Sequence, residues 1–265
     1  MTTVVFKVGG SVLNQLSPKF YQVLLQLKET GTCNPIIVHG GGPEINEALS
    51  KMNIKTEFVD GLRVTSEEVL SIAEMVMSGT INKRIVSSIQ SIGGNALGLS
   101  GVDGKLLRAK QMHDGKLGLV GEVVEVNTEW LSIIMNSGGI PVISPIAIGD
   151  ADKRYNVNGD MAAGAVAEAF QSKLILVSNI PGVIESVNGE EIIHHHLTKQ
   201  QVESKIDSGV IYGGMIPKVR SALASLKSGV AESVILNGLN PIEIKNYLEG
   251  KTVGTVLTER EVEHV

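Results

Sequence analysis

At 265 residues with 43% hydrophobic side chains, the chain can bury a substantial core without disulfides or structural metals. A net charge of −5, a pI near 5.7 and the lack of any Lys/Arg block exclude an electrostatic footprint for nucleic acid or an anionic membrane. Cys33 stands alone, which rules out an intrachain disulfide and a thiolate metal cluster.

The amino terminus enters an apolar strand pattern by Val4 without a long apolar leader, and no later run reaches the ~18 residues of a membrane span, so a cytoplasmic protein is expected. Along the chain, VVFKV at 4–8 predicts a strand, 18–30 an amphipathic helix, PIIVHG at 35–40 a second strand, and a further helix starts near 43. Strands are also predicted at 96–101, 140–146, 173–178 and 233–237, each beside a helical stretch. This rhythm reads as α/β with a mainly parallel open sheet. Residues 117–126 alternate differently and contain glycines, which predicts an embedded β-hairpin. No linker separates the chain; a functional division is expected at 172/173, giving lobes 1–172 and 173–265 on one continuous sheet. Glycines follow several strands, and open α/β sheets bind ligands beyond the carboxyl ends of their strands.

Within FKVGGS at 6–11, Lys7 follows an apolar run and precedes two glycines, which suits a phosphate-binding cation or a lysine that merely snorkels from a strand end. In IIVHGGGPEIN at 36–46, a strand, a glycine turn and a helix with Pro43 in its first turn offer backbone N–H groups to an anion, or form a plain tight turn. Neither a Walker loop nor a dinucleotide fingerprint is present. His39 reads as a packed histidine at a strand end. Arg63, in GLRVT at 61–65, is placed to grip a carboxylate through two parallel hydrogen bonds, or is a surface arginine.

YNVNGDMAA at 155–163 sets Asn156, Asn158 and Asp160 at period two before an alanine-rich helix, with Asp160 a candidate either for chemistry or for the N-cap. GGMIPKVRSALASL at 213–226 gives a glycine turn, Pro217 as first helical residue and Lys218 in the first turn. A cation is disfavoured there unless an anion sits nearby or solvent screens it. His194, His195 and His196 are consecutive, lack the spacing of a helical metal pair, and read as a solvated loop.

In this order, FKVGGS, VHGGGPEIN, GLRVT, YNVNGDMAA, SNIPGV and GGMIPKV resemble the amino acid kinase family over nearly the whole chain, and within it the branch that phosphorylates N-acetyl-L-glutamate. The resemblance implies a three-layer αβα sandwich and a homodimer. It also implies an acyl acceptor in the first lobe, ATP in the second, and transfer from MgATP to the γ-carboxylate of N-acetyl-L-glutamate in arginine biosynthesis. Carried over to matching positions, Lys7 and Lys218 would stabilise the phosphoryl group in flight and Asp160 would hold both lysines. Gly41, Gly42, Arg63, Asn156 and Asn158 would bind the acceptor, and Gly10, Asn179, Gly182 and Tyr212 the nucleotide. Asn179 departs from the aspartate common among relatives, so a direct role of that side chain with Mg²⁺ is in doubt, and no metal ligand is assigned. A kinase of another acid within the family, or a non-catalytic ligand-binding protein of this fold, are the alternatives.

Overall fold

A computed structural model describes residues 1–187, 189–213, 215–227, 230 and 232–259. Its frame is an eight-stranded sheet in the order His196–Thr198, Thr255–Thr258, Ser233–Asn237, Lys173–Ser178, Thr2–Val8, Cys33–His39, Ile140–Ser144, Ala96–Ser100. Every neighbouring pair is parallel except Ser233–Asn237 with Thr255–Thr258. Strands from before residue 172 fill one half of the sheet and those after it fill the other. The two halves meet where Val5 lies beside Leu174 and Lys7 beside Leu176.

The central strands are near-continuous apolar runs because both faces of a parallel sheet are covered. Val4, Phe6 and Val8 pack with Phe20 and Leu24 of helix Pro18–Glu29 and with Ile85 and Ile89 of helix Asn82–Gln90. Val5 points the other way, into a core with Ala163 and Val166 of helix Gly159–Ala169 and Val219 and Leu223 of helix Met215–Lys227. The sheet is thus the middle of three layers. Phe6 is fully buried, and its truncation to alanine would cost about 3–5 kcal/mol. Alternation places Lys7 on the face of Val5, toward helix Gly159–Ala169. That helix lies close to helix Met215–Lys227, since a Cβ on Gly164 would sit 3.2 Å from that of Ser225.

Several expectations need correction. Residues 117–126 are not a hairpin in themselves. Strand Leu107–Gln111 pairs antiparallel with Val120–Val126, and both close into a small barrel with Ile146–Ile148 and Arg154–Val157. The first arm escaped notice because only Leu107 and Ala109 are buried along it, and the glycines at 115 and 118, at φ 83° and 68°, belong to the connection. The apolar run 140–146 divides at Pro145, which has no N–H for a ladder: Ile140–Ser144 stays in the large sheet while Ile146–Ile148 enters the barrel. The late helix begins at Met215, two residues before Pro217, and Gly214 lies outside the described residues. Between Glu67–Glu74 and Asn82–Gln90 the backbone widens into a π-helical stretch, Met75–Ile81, of a kind frequent at functional sites.

Candidate active site

Two glycine loops meet beyond the carboxyl ends of strands Thr2–Val8 and Cys33–His39. A Cβ on Gly10 would lie 2.8 Å from Pro43 Cδ and 3.0 Å from the Gly42 nitrogen. One on Gly41 would lie 2.8 Å from both Ile81 Cδ1 and Met77 Cγ, so the π-helical stretch leaves room for hydrogen only. Close approach therefore requires glycine at both positions. The loops wall a cavity of about 300 Å³ that brings Lys7, Gly10, Gly41, Gly42, Arg63, Asn156, Asn158 and Asp160 together. Gly10, expected at the nucleotide, lines this cavity.

Arg63 is no surface arginine. It sits in a short hairpin, Phe58–Val59 with Leu62–Arg63, and is buried with its guanidinium stacked 4.7 Å from the Phe58 ring centre. Nη1 donates to Thr56 Oγ1 (2.5 Å), and Nη2 donates to Asn46 Oδ1 (2.6 Å) and the Gly42 carbonyl (3.3 Å). Both Nη2 hydrogens are engaged, so a bidentate grip on a carboxylate would displace the longer of them, at Gly42. Asn156 donates to Thr65 Oγ1, which donates to the Arg63 carbonyl, tying the barrel strand to the hairpin.

Asn158, not Asp160, caps the helix: its Oδ1 accepts from the backbone N–H groups of Asp160 (2.8 Å) and Met161 (3.3 Å). Asp160 is thereby left for Lys7, whose Nζ is 2.7 Å from its Oδ1. Lys218 donates instead to Ser178 Oγ (2.9 Å) and, at 3.4 Å, to Asn179 Oδ1. Burial depresses the Lys218 pKa, the charge of Lys7 depresses it further, and Asp160 opposes both. Lys218 therefore stands in the field of the ion pair, and Asp160 reaches it by charge while Ser178 and Asn179 hold it. Ser178, the last residue of its strand, opens the SNIPGV motif but was assigned no role of its own from the sequence.

Lys218 lines a second cavity of about 540 Å³, with Ile180, Val183, Ile184, Tyr212 and Met215 as its apolar wall and Glu185, Ser186, Glu191 and Ser208 as polar groups. Tyr212 is 75% exposed there. Gly182, at φ 150°, is needed where a Cβ would lie 2.5 Å from Thr255 Oγ1, the acceptor of the Val183 N–H; its role is to let the loop pack, and it does not line the cavity. The three histidines are a solvated loop only in part: His195 and His196 are exposed, but His195 alone lies between strands. His194 ends strand Glu190–His194 and its Nε2 is 2.7 Å from Glu185 Oε2. His195 Nδ1 lies 3.0 Å from the Gly254 carbonyl, and His196 Nε2 lies 3.1 Å from Thr258 Oγ1.

His39 is fully buried, and burial pulls its pKa down to about 4, so the ring is neutral near pH 7. Nδ1 donates to the Gly40 carbonyl (3.1 Å), leaving Nε2 to accept from Asn82 Nδ2 (3.3 Å). A neutral ring with both nitrogens engaged inside the core fits the packed role expected of it, beneath the glycine loop.

The model of the amino acid kinase family matches residues 2–237. The chain belongs to that family. It is 47% identical over 259 residues to the acetylglutamate kinase of Halalkalibacterium halodurans, covering 97% of this chain and 96% of the relative. The acetylglutamate kinase of Methanocaldococcus jannaschii is 44% identical, covering 96% and 89%. Among solved structures, smu.665 from Streptococcus mutans UA159 superposes with a TM-score of 0.82 at 28% identity, covering 97% of this chain and 99% of that one. The α/β fold with its mostly parallel sheet is the fold of this kinase family, and no helix among the described residues is long and apolar enough to cross a membrane.

Proposed function

We propose that this chain transfers the γ-phosphoryl group of ATP to the γ-carboxylate of N-acetyl-L-glutamate, giving N-acetyl-L-glutamyl 5-phosphate in arginine biosynthesis. One observation carries the reading: the Lys7–Asp160 pair lines the glycine-walled cavity, Lys218 lines the neighbouring larger one, and the charges of the pair act on Lys218. The relatives' shared activity supports the choice of acceptor.

The first cavity, in the lobe 1–172, holds the acceptor; the second, in 173–265, holds ATP. A carboxylate is already ionised at pH 7, so no general base is needed. Its oxygen attacks the γ-phosphorus as the bond to the β,γ-bridging oxygen breaks, and ADP leaves with the electron pair. Lys7 and Lys218 approach the transferring group from opposite lobes and neutralise its equatorial charge. Asp160 keeps Lys7 extended. N–H groups of the glycine loops, Arg63, Asn156 and the free amide hydrogens of Asn158 orient the acceptor.

Among the described residues no three His, Cys, Asp or Glu side chains gather as a metal cage. That suits Mg²⁺ held mainly by nucleotide phosphates and water, as Mg²⁺ in kinase sites commonly is. Bound there, it would screen the β- and γ-phosphate charge; Asn179, with its neutral amide, is the nearby oxygen donor that fits a water-mediated contact.

A cytoplasmic homodimer completes the reading. The strand Ala96–Ser100 is a free sheet edge, and the exposed Leu97 on it and Met75 at the start of the π-helical stretch support pairing there. The decisive test is hydroxylamine trapping of acyl phosphate with MgATP and either N-acetylglutamate or glutamate. A strong signal is expected with the first alone; a signal favouring glutamate would replace the acceptor, and none with any carboxylate would sink the kinase reading.

A further inference from the structure

Glu185 is held in a way the phosphoryl-transfer chemistry does not require. It lies on strand Val183–Val187 and lines the larger cavity, and its Oε2 receives two partners at 2.7 Å each: His194 Nε2 from the paired strand Glu190–His194 and Lys205 Nζ from helix Lys199–Asp207. All three side chains are about three-quarters covered. Hydrogen bonds from Lys205, then from His194, hold its carboxyl below the usual carboxylate range.

Two consequences follow. The clamp cancels the charge that would otherwise repel a polyphosphate entering the cavity. It also fixes the carboxylate by one oxygen and leaves Oε1, an acceptor with no donor function, without a hydrogen-bond partner among the described residues. Glu191, on the same rim, is exposed and has no such clamp among the described residues. Lys218 marks the phosphate end of the cavity, whereas Glu185 is carried past the Ser178 and Asn179 contacts of Lys218 by the following strand, among Val183, Ile184 and Tyr212. A fixed acceptor beside an apolar wall calls for a donor on a flat, largely apolar group.

We infer that Glu185, held by Lys205 and His194, is a selectivity-determining residue that accepts a hydrogen bond from the nucleoside part of the phosphoryl donor, from a ribose hydroxyl or the exocyclic amine of the base. This rests on the larger cavity being the nucleotide site. A partly covered acceptor that bound nucleoside would cover further disfavours analogues lacking the matching donor, because the acceptor is then desolvated and unpaired.

The test compares ATP with 2′-deoxy-ATP, 3′-deoxy-ATP and inosine triphosphate, in wild type and Glu185→Gln, by kcat/KM and by thermal stabilisation of the protein without acceptor. Wild type is expected to disfavour at least one analogue by about ten- to a hundredfold, the analogue affected naming the donor. Glu185→Gln, which keeps shape but removes charge, should shrink that preference at least several-fold, chiefly by lowering kcat/KM for ATP itself, with KM for the acyl acceptor little changed. Lys205→Met, which loosens the carboxylate without removing it, should shrink it less and serves if Glu185→Gln fails to fold. Equal preference in wild type, or the same preference in both variants, overturns the inference while leaving the kinase intact. Absence of stabilisation by ATP itself would instead overturn the nucleotide assignment, and this inference with it.

Discussion

The two cavities are built by different means. Around the cavity proposed for the acceptor, backbone sets most of the shape: glycines 10 and 41 leave no room for a Cβ unless their neighbours shift, Arg63 is buried with three hydrogen bonds, and His39 and Asn82 brace the loop from within the core. Around the cavity proposed for the nucleotide the walls are side chains on a two-stranded hairpin and helix ends, Tyr212 is largely exposed, and the ordering elements are ion pairs such as Glu185 with Lys205. A cradle of backbone fixes one shape and tolerates little; a cradle of side chains permits adjustment and grades its preferences. Substitutions on the acceptor side should therefore act steeply, those on the nucleotide side gradually, with the lysines between them the exception.

The largest effect is expected at those lysines. Lys7→Ala or Lys218→Ala removes charge felt chiefly by the phosphoryl group in flight, so kcat should fall by about 10²–10³ while the KM for ATP changes only a few-fold. Steady-state kinetics decides this; near-wild-type turnover in both variants would remove the lysines from the mechanism. Next comes Gly10→Ala. The added methyl meets Pro43 Cδ and the Gly42 backbone, and only the loop can give way. Overpacking of this kind costs about 1–3 kcal/mol, which should appear as a lower thermal midpoint with a raised acceptor KM. A variant as stable and active as wild type would show that the loops do not meet as described.

Arg63→Lys should act less, raising the acceptor KM by about tenfold with smaller loss of kcat, because the planar fork over Phe58 and the reach to Thr56 and Asn46 are lost together. An unchanged acceptor KM would leave Arg63 as a brace of the hairpin alone.

How much of this was legible in the sequence follows the same division. The sheet strands were readable because burial on both faces writes uninterrupted apolar runs, as in VVF and IIV. Lys7 was a candidate because two glycines follow its strand, but a lysine snorkelling from the strand end stayed an equal reading until Asp160 stood beside it. The barrel was not, since Leu107–Gln111 buries only Leu107 and Ala109 and takes its partners from residues up to 40 positions away. Asp160 as a possible cap was a matter of register: Asn158 and Asp160 are both good caps, and only the backbone turn at 158 decides which one is released for Lys7. Glu185, His194 and Lys205 are unremarkable in sequence because their meaning lies in a contact across a hairpin and a helix.

The smallest effect, and the sharpest probe of the side-chain cradle, is expected from Asn179→Asp. Lys218 has a pKa below the ordinary lysine value of 10.5, chiefly through burial and then through Lys7. In the proposed mechanism its ammonium is needed for transfer, so activity should be lost as pH rises through that depressed pKa. The stability sign is opposite: between the folded pKa and 10.5 the unfolded chain holds the extra proton, so stability rises with pH across that window. An aspartate at 179, placed where the amide oxygen now accepts from Lys218 at 3.4 Å, would favour the ammonium and raise its pKa. The alkaline limb of the kcat profile should then move to higher pH and the rise in stability should flatten, while kcat at pH 7 stays within about fivefold, the scale of a partly exposed ion pair. A limb that stays in place in Asn179→Asp but disappears in Lys218→Arg would show that Lys218 titrates without feeling position 179, and that Ser178 alone holds it.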